Sequence, residues 1–280
     1  MTPRVRAGAD VARLDQALVA RGLARSRTHA AALIAEGKVS SDGNVLNKAS
    51  LQVDDARSID VAADETDSYV SRAGHKLAGA LDAFSQVDVA GKRCLDAGAS
   101  TGGFTEVLLR RGAAHVVAVD VGHGQLVPQL RDDPRVAVHE GLNVRYMNAE
   151  DIGGPAAVTV ADLSFISLTL VMLPLGLSTQ PGGDLVLMVK PQFEIGKDRL
   201  GRTGVVTSER ERRMAVEKVA NSALDAGLEL RGLAASPLPG QDGNVEYFLW
   251  IKRPMSHVVP KIEEREAAIA GLLGQVWQQS

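Results

Sequence analysis

The sequence predicts an α/β protein: a doubly wound, mostly parallel sheet with a final antiparallel strand, preceded by a small α+β unit. Three observations carry this reading. Between residues 92 and 190, five short apolar runs are separated by loops and helical patterns. The runs are continuous rather than alternating, as in strands covered on both faces. Two more strand-like runs, 228–235 and 245–252, are joined by the nine-residue SPLPGQDGN, which suits an antiparallel pair. The first fifty residues follow another plan, two short helices and then a hairpin.

Composition sets the outer limits. The chain has 280 residues, a formal net charge of -3, 45% hydrophobic and 23% charged residues. That suits a medium domain plus a small one and excludes global disorder. The single cysteine excludes a disulfide framework and a CxxC-type zinc site, and it points to a reducing compartment. No metal ligands are assigned. The ten-residue run 168–177 contains Pro174 and falls short of the ~20 apolar residues of a spanning helix. The opening MTPRVRAGAD has no apolar stretch of the kind a secretory signal needs. A cytoplasmic protein with no membrane partner is expected.

In chain order, Leu14, Ala17, Leu18 and Arg21 follow helical spacing, and Gly22 supplies the left-handed residue past the end. Ser26 is placed to cap a second helix whose inner face is Ala30, Leu33 and Ile34 and which Gly37 ends. In KVSSDGNVL, Asp42-Gly43 is a strong two-residue hairpin signal. Eight basic against four acidic side chains give residues 1–50 a net +4, whereas residues 51–66 carry -4. A basic head of this kind suits nucleic acid and, equally, a solvated surface.

The segment RLDQALVARGLARSRTHAAALIAEGKVSSDGNVLNKAS resembles the S-four-type RNA-binding module. Arg13, Leu14, Asp15, Arg25, Ser26, Arg27, Ala30, Leu33, Ile34, Gly37, Val39, Asp42 and Gly43 stand at its signature positions. The resemblance implies RNA binding through Arg13, Arg25, Arg27 and Lys38, and arginine forks match phosphate oxygens. The small unit is expected over residues 1–63, an acidic linker over 64–70 and the large unit over 71–280.

The large unit opens with a helical SRAGHKLAGAL. Residues 92–96 (KRCLD) read as a strand leading to a glycine loop, and 104–110 as a helix. Strands are expected over 115–120, 135–139, 157–162 and 184–190, and a helix over 168–177. Ser208 with Glu211 three residues on is a capping-box start for a long helix. A C-terminal helix over 262–277 follows the antiparallel pair.

LDAGASTGGF puts Gly98, Gly102 and Gly103 just after the first strand, where backbone can approach a ligand at the strand ends. Asp120 ends the next strand, 22 residues beyond Gly98, where an acid can accept both hydroxyls of a ribose. The loop reads GxxxGG, neither the dinucleotide GxGxxG nor a phosphate loop with GK[ST]. Asp96 would repel a pyrophosphate and suit a cation. S-adenosylmethionine, with an ammonium, a sulfonium and no phosphate, fits these features. A tight turn with a structural aspartate is the alternative, as is an NAD-dependent oxidoreductase with an RNA-binding head.

LDAGASTGGFTE also resembles the first motif of S-adenosylmethionine-dependent methyltransferases. The resemblance implies that Asp96, Gly98, Ser100, Thr101, Gly102, Gly103 and Phe104 bind the cofactor and that Asp120 holds its ribose. By position alone, Asn143 would lie near the adenine.

What the chain lacks narrows the atom methylated. An exocyclic-amine enzyme would show [DN]PP[YF] after the fourth strand, where this chain reads ADLSF. A pyrimidine carbon-5 enzyme needs a thiolate, and Cys94 sits mid-strand between Arg93 and Leu95. An oxygen nucleophile remains, and lysines can take its proton or stabilise its charge. Lys76, Asp162, Lys190 and Glu246 resemble the catalytic set of the FtsJ-like ribose 2′-O-methyltransferases. Taken alone, Lys76 reads as a solvated helix lysine, and Asp162 with Lys190 as an ordinary ion pair.

From the S-four-type head through VSRAGHKL, LDAGASTGGFTE, VADLSFISL, VKPQFE and GNVEYF, the chain is similar to TlyA-type rRNA 2′-O-methyltransferases. That implies cytidine 2′-O-methylation of ribosomal RNA, naked or in an assembled ribosomal subunit, by a monomer. Where such members carry a tryptophan before VSR, this chain has Tyr69. The same family has been labelled haemolytic, so a membrane-active protein is the competing class. No long helical pattern here joins a basic face to an apolar one. Residues 190–204, with three glycines, four basic residues and no sustained periodicity, read as a mobile substrate loop.

Overall fold

In the small unit, apolar side chains that share one helical face in sequence become a core. A computed structural model describes residues 11–24, 27–54, 57–62, 69–196, 200–201, 203–240, 242–256 and 261–277, and the chain divides into two units, 1–68 and 69–280. The first holds β1 (Val11–Arg13), α1 (Leu14–Ala20), α2 (Arg27–Ala35), β2 (Val39–Ser41), β3 (Asn44–Val45), β4 (Gln52–Asp54) and β5 (Asp60–Val61). Leu14, Leu18, Ala30, Leu33 and Ile34 are buried together with Val39 and Val53. The β2–β3 turn has Asp42 at φ 50 and Gly43 at φ 79, the pair of positive angles that matches the twist of a hairpin. β5 adds to β2, and β1 pairs with β4. Runs of two or three residues carry little periodicity, so β1, β4 and β5 are faint in the sequence. Ser26, expected to cap α2, lies outside the described residues.

The large unit sets α3 (Arg72–Ala83) before seven strands. These are β6 (Arg93–Ala97), β7 (His115–Asp120), β8 (Val136–Glu140), β9 (Ala156–Ala161), β10 (Thr179–Val189), β11 (Glu229–Ala235) and β12 (Tyr247–Lys252). Their order across the sheet is β11-β12-β10-β9-β6-β7-β8. β12 runs antiparallel to both neighbours, and the remaining pairs are parallel. The helices between and after them are α4 (Gly103–Arg110), α5 (Pro128–Arg131), α6 (Met172–Leu177), α7 (Pro191–Glu194), α8 (Glu209–Asp225) and α9 (Ile262–Gly274).

Successive residues of a strand enter opposite cores, so continuous apolar runs are what this sheet needs. Val117 and Val119 of β7 and Leu185 and Leu187 of β10 pack with Val216 and Val219 of α8 and Leu272 of α9. Val116, Ala118, Val186 and Met188 pack on the other face with Leu77 and Leu81 of α3 and Leu108 of α4. Leu77 and Leu81 are fully buried, each worth ~1.5–3 kcal/mol, and they fix the helix that carries Lys76.

Two elements depart from the sequence reading, and one expected cap is present. The expected helix over 168–177 is a 3-10 turn, Leu168–Leu170, followed by α6. Pro174 therefore falls in the first helical turn, where its missing N–H costs nothing. β10 starts five residues earlier than expected, through an irregularity between Thr179 and Asp184 that contains Gly182 at φ +77. Ser208 accepts from the Glu211 N–H at 3.3 Å, the forward arm of the expected capping box.

Candidate active site

The chain runs from β6 outward through β7 and β8, then returns to lay β9 on the other side of β6. Such a reversal opens a crevice at the carboxyl ends of the central strands. Gly98 N–H donates to Val119 O at 2.8 Å and Asp162 N–H to Ala97 O at 3.1 Å, so the loop after β6 and the end of β9 meet there. Gly98 has φ +88, and a Cβ on it would stand 2.6 Å from the Asp162 carbonyl oxygen. A Cβ on Gly103 would stand 2.9 Å from the Gly74 nitrogen in α3. The glycines thus let the β6 loop, the end of β9 and the start of α3 close on one point.

Two lysine–carboxylate pairs form around that point. Asp162 and Lys190 follow neighbouring parallel strands, so their side chains start at the same edge. Lys190 Nζ lies 2.7 Å from Asp162 Oδ1, an ion pair without hydrogen-bond alignment, and donates to Ser164 Oγ at 2.9 Å. Glu246 reaches this edge because β12 is antiparallel: Tyr247, its first residue, pairs with Val189, the last of β10. Lys76 Nζ comes from α3 to within 2.6 Å of Glu246 Oε2, and both residues are buried. A Cβ on Gly240 would stand 2.7 Å from Glu246 Oε1, so that turn packs directly against the carboxylate. Lys76, Asp162 and Lys190 line one cavity of about 420 Å³ with Gly98, Ser100, Thr101, Gly103 and Phe104. Glu246 lines no part of it and acts on it through Lys76.

A second cavity of about 470 Å³ shares Gly98, Ser100, Asp162 and Ser164 with the first. Asp120, Leu142, Asn143 and Phe165 are among the residues that form the rest of its wall. Asp120 accepts the Ser100 N–H at 2.8 Å and the Gly122 N–H at 2.7 Å. Those bonds fix the carboxylate and leave each oxygen a further lone pair. Asn143 Oδ1 accepts the Arg145 N–H at 3.0 Å, which leaves its amide NH₂ to donate. Gly102, at φ +103, packs its backbone against Leu126 and Leu130 and lines neither cavity. Asp96 also lines neither. It is fully buried; Oδ2 accepts from the Thr105 hydroxyl at 2.6 Å and Oδ1 has no partner among the described residues. Burial pushes its carboxyl up to about 7; the Thr105 bonds oppose this, and the charges of Asp162 and Asp120 add to it.

The FtsJ-like methyltransferase profile matches residues 69–253, and the S4 domain profile matches residues 12–56. The chain belongs to the FtsJ-like methyltransferase family. It is 54% identical over 241 residues to the 16S/23S rRNA (cytidine-2′-O)-methyltransferase TlyA of Mycobacterium tuberculosis, across 86% of this chain and 90% of that one. It is 36% identical over 237 residues to Hemolysin A of Brachyspira hyodysenteriae, across 84% and 98%. A solved structure of a hemolysin-named protein from Streptococcus thermophilus is 34% identical, with a TM-score of 0.71 over 96% of this chain and 98% of that one.

In this FtsJ-like methyltransferase several site residues carry no sequence signal of their own. Ser71 Oγ, at the start of α3, lines the first cavity and is buried without a partner among the described residues. Tyr69 packs its ring where a Cβ on Gly74 would stand 2.6 Å away, edge-on to His75 and 4.7 Å beneath the Arg110 guanidinium. The expected loop over 190–204 begins instead as α7, and Glu194 in that turn is buried. Glu194 accepts from the Leu168 N–H at 2.8 Å and from the Ser167 hydroxyl, clamping α7 to the loop after β9. That clamp keeps Lys190 beside Asp162. Burial raises the Glu194 carboxyl above its usual range. Phe165, at φ +64 and 92% exposed, meets the Phe193 ring at 5.4 Å. Lys197, Asp198, Arg199 and Arg202 lie outside the described residues. In the S4 domain, Arg13 and Arg27 both bond Asp15, and Lys38 pairs with Glu36. Arg25 lies outside the described residues.

Proposed function

We propose that this protein is an S-adenosylmethionine-dependent rRNA (cytidine-2′-O)-methyltransferase that works in the cytoplasm as a monomer. Its substrate is ribosomal RNA, naked or in an assembled subunit. The observation that carries the reading is that two lysine–carboxylate pairs stand at a cavity which shares its wall with a second one containing Asp120. The cofactor fits the residues present. Asp120 has acceptor capacity for two ribose hydroxyls, Asn143 has donors free for an adenine, and the partnerless Ser71 hydroxyl suits a polar group in the first cavity. S-adenosylmethionine would supply an electrophilic methyl group.

The chain supplies the rest. Lys190, held by Asp162 and Ser164, handles the 2′-hydroxyl. It takes the proton or, with Lys76, stabilises the charge that develops on the oxygen. Glu246 anchors Lys76. A thiolate route is disfavoured, since Cys94 is fully buried and its thiol is pushed up to about 12 by that burial. The assignment to cytidine in ribosomal RNA rests on the 54% identity to TlyA. Residues 1–63 then grip RNA, 64–70 link and 71–280 catalyse. Among the described residues no helix is long and apolar enough to cross a membrane.

Mapping ribose methylation in ribosomal RNA from cells with and without the gene tests this. Loss of 2′-O-methylcytidine at defined positions is expected. Identical maps would contradict it, and vesicle leakage by the pure protein that survives loss of Lys190 would favour a membrane role.

A further inference from the structure

Positive charge alone does not describe the proposed RNA-binding face of the small unit. Asp15, in the first turn of α1, is 5% exposed and lies between two of the arginines singled out from sequence. Arg13, at the end of β1, donates to it through Nε at 3.0 Å and Nη2 at 3.4 Å. Arg27, the first residue of α2, donates through Nε at 3.3 Å and Nη2 at 2.9 Å. The two guanidinium groups hold the Asp15 carboxyl well below the usual range, at about 2. The arginine side chains nevertheless stay 41% and 60% exposed.

Both arginines therefore spend the same edge on Asp15. A guanidinium carries five N–H donors in a rigid plane. With Nε and one Nη2 proton engaged, each keeps three donors, both of Nη1 and one of Nη2, along its far edge. Among the described residues no hydrogen bond reaches either Nη1. That far edge is the fork that matches two oxygens of a phosphate. One buried acid thus sets the direction of two exposed forks on two different helix starts.

We propose that Asp15 is a positioning residue for RNA: it holds Arg13 and Arg27 as a preformed pair of phosphate forks. This rests on the reading of the small unit as an RNA binder. It contradicts simple electrostatics in sign. Arg13, Arg27 and Asp15 together carry +1, so deleting the acid makes the face more positive, and long-range attraction alone would tighten binding. Released arginines must instead be ordered when RNA arrives, which weakens binding.

The test is filter binding of the full chain to deproteinised ribosomal RNA across a salt series. Asp15→Asn should bind about tenfold or more weakly, the worth of one charge-assisted hydrogen bond. Its dependence of log K on log salt should be shallower by ~0.7–0.9 for each phosphate the variant no longer neutralises. Thermal melting checks that the variant folds. Arg27→Lys, at an exposed position, keeps the charge but has no fork, so it should lose a similar factor. The double variant should lose little more than either single one, because the two residues act as a unit. Equal or tighter binding by a folded Asp15→Asn overturns the proposal. If that variant does not fold, undiminished affinity of Arg27→Lys overturns it. A wild-type chain that binds no ribosomal RNA removes the RNA reading itself, and the proposal with it.

Discussion

Replacing Lys76 by methionine separates the two things its ion pair does. Lys76 Nζ and Glu246 Oε2 are 2.6 Å apart, with side chains only 11% and 3% exposed. Removing one partner leaves the other as a buried, uncompensated charge, a loss of ~3–5 kcal/mol. For a unit of this size that lowers the melting temperature by ~6–20 °C. Lys76→Met and Glu246→Gln should each show it. The double variant leaves no buried charge, only a buried amide costing ~1–3 kcal/mol, so part of the lost stability should return. Methyl transfer should not return, because the cavity has lost one of its two lysines; a loss of ~10²–10⁴-fold is expected. Urea denaturation followed by circular dichroism gives the stabilities, and single-turnover transfer of labelled methyl groups to ribosomal RNA gives the rates. Single variants that unfold at the wild-type urea concentration would show that the pair is not a buried one. A double variant with near wild-type turnover would show that the pair serves the fold alone.

Asp120→Ala should weaken S-adenosylmethionine binding by ~1.5–3 kcal/mol through lost charged hydrogen bonds, and an unaltered dissociation constant by calorimetry would count against that site. Asp96 gives a pH signature. Its carboxyl stands at about 7 in the folded chain against an ordinary 3.8, so folding binds a proton that the unfolded chain releases. The resulting stability is complete below about pH 4 and lost as pH rises through about 7, up to roughly 4 kcal/mol. Asp96→Asn should remove that trend, so its stability difference from wild type should change between pH 4 and pH 8; a constant difference refutes it. Glu194→Ala should cut turnover by at least ~10-fold through misplacement of Lys190, with cofactor affinity kept. Glu194→Gln, which still accepts from Leu168 N–H, should restore most of it; equal loss in both variants would argue against the clamp.

How much of this is legible in the sequence depends on what each residue answers to. The strands of the large unit are readable because both faces of the sheet are covered, which forces runs such as HVVAVD and DLVLMV. Asp120, Asp162 and Lys190 are placed by strand ends alone. The Lys76–Glu246 pair is not, since 170 residues separate the two and only the antiparallel turn of β12 brings them together. Gly98 reads as a point of ligand approach; it lines both cavities, and a Cβ on it would also meet the Asp162 carbonyl. Asp96 reads in sequence as an acid facing a cation and is instead buried against Thr105. Glu194 sits in a segment without periodicity, where one helical turn leaves no pattern.

The central claim is that Lys190 stands at the reacting hydroxyl. Single-turnover methyl transfer by Lys190→Ala tests it most directly, with melting temperature, cofactor affinity and RNA affinity measured on the same preparation. The expected result is a rate lower by at least ~10²-fold, the usual contribution of a proton-handling group, with the other three quantities near wild type. Methyl transfer at close to the wild-type rate would contradict the account.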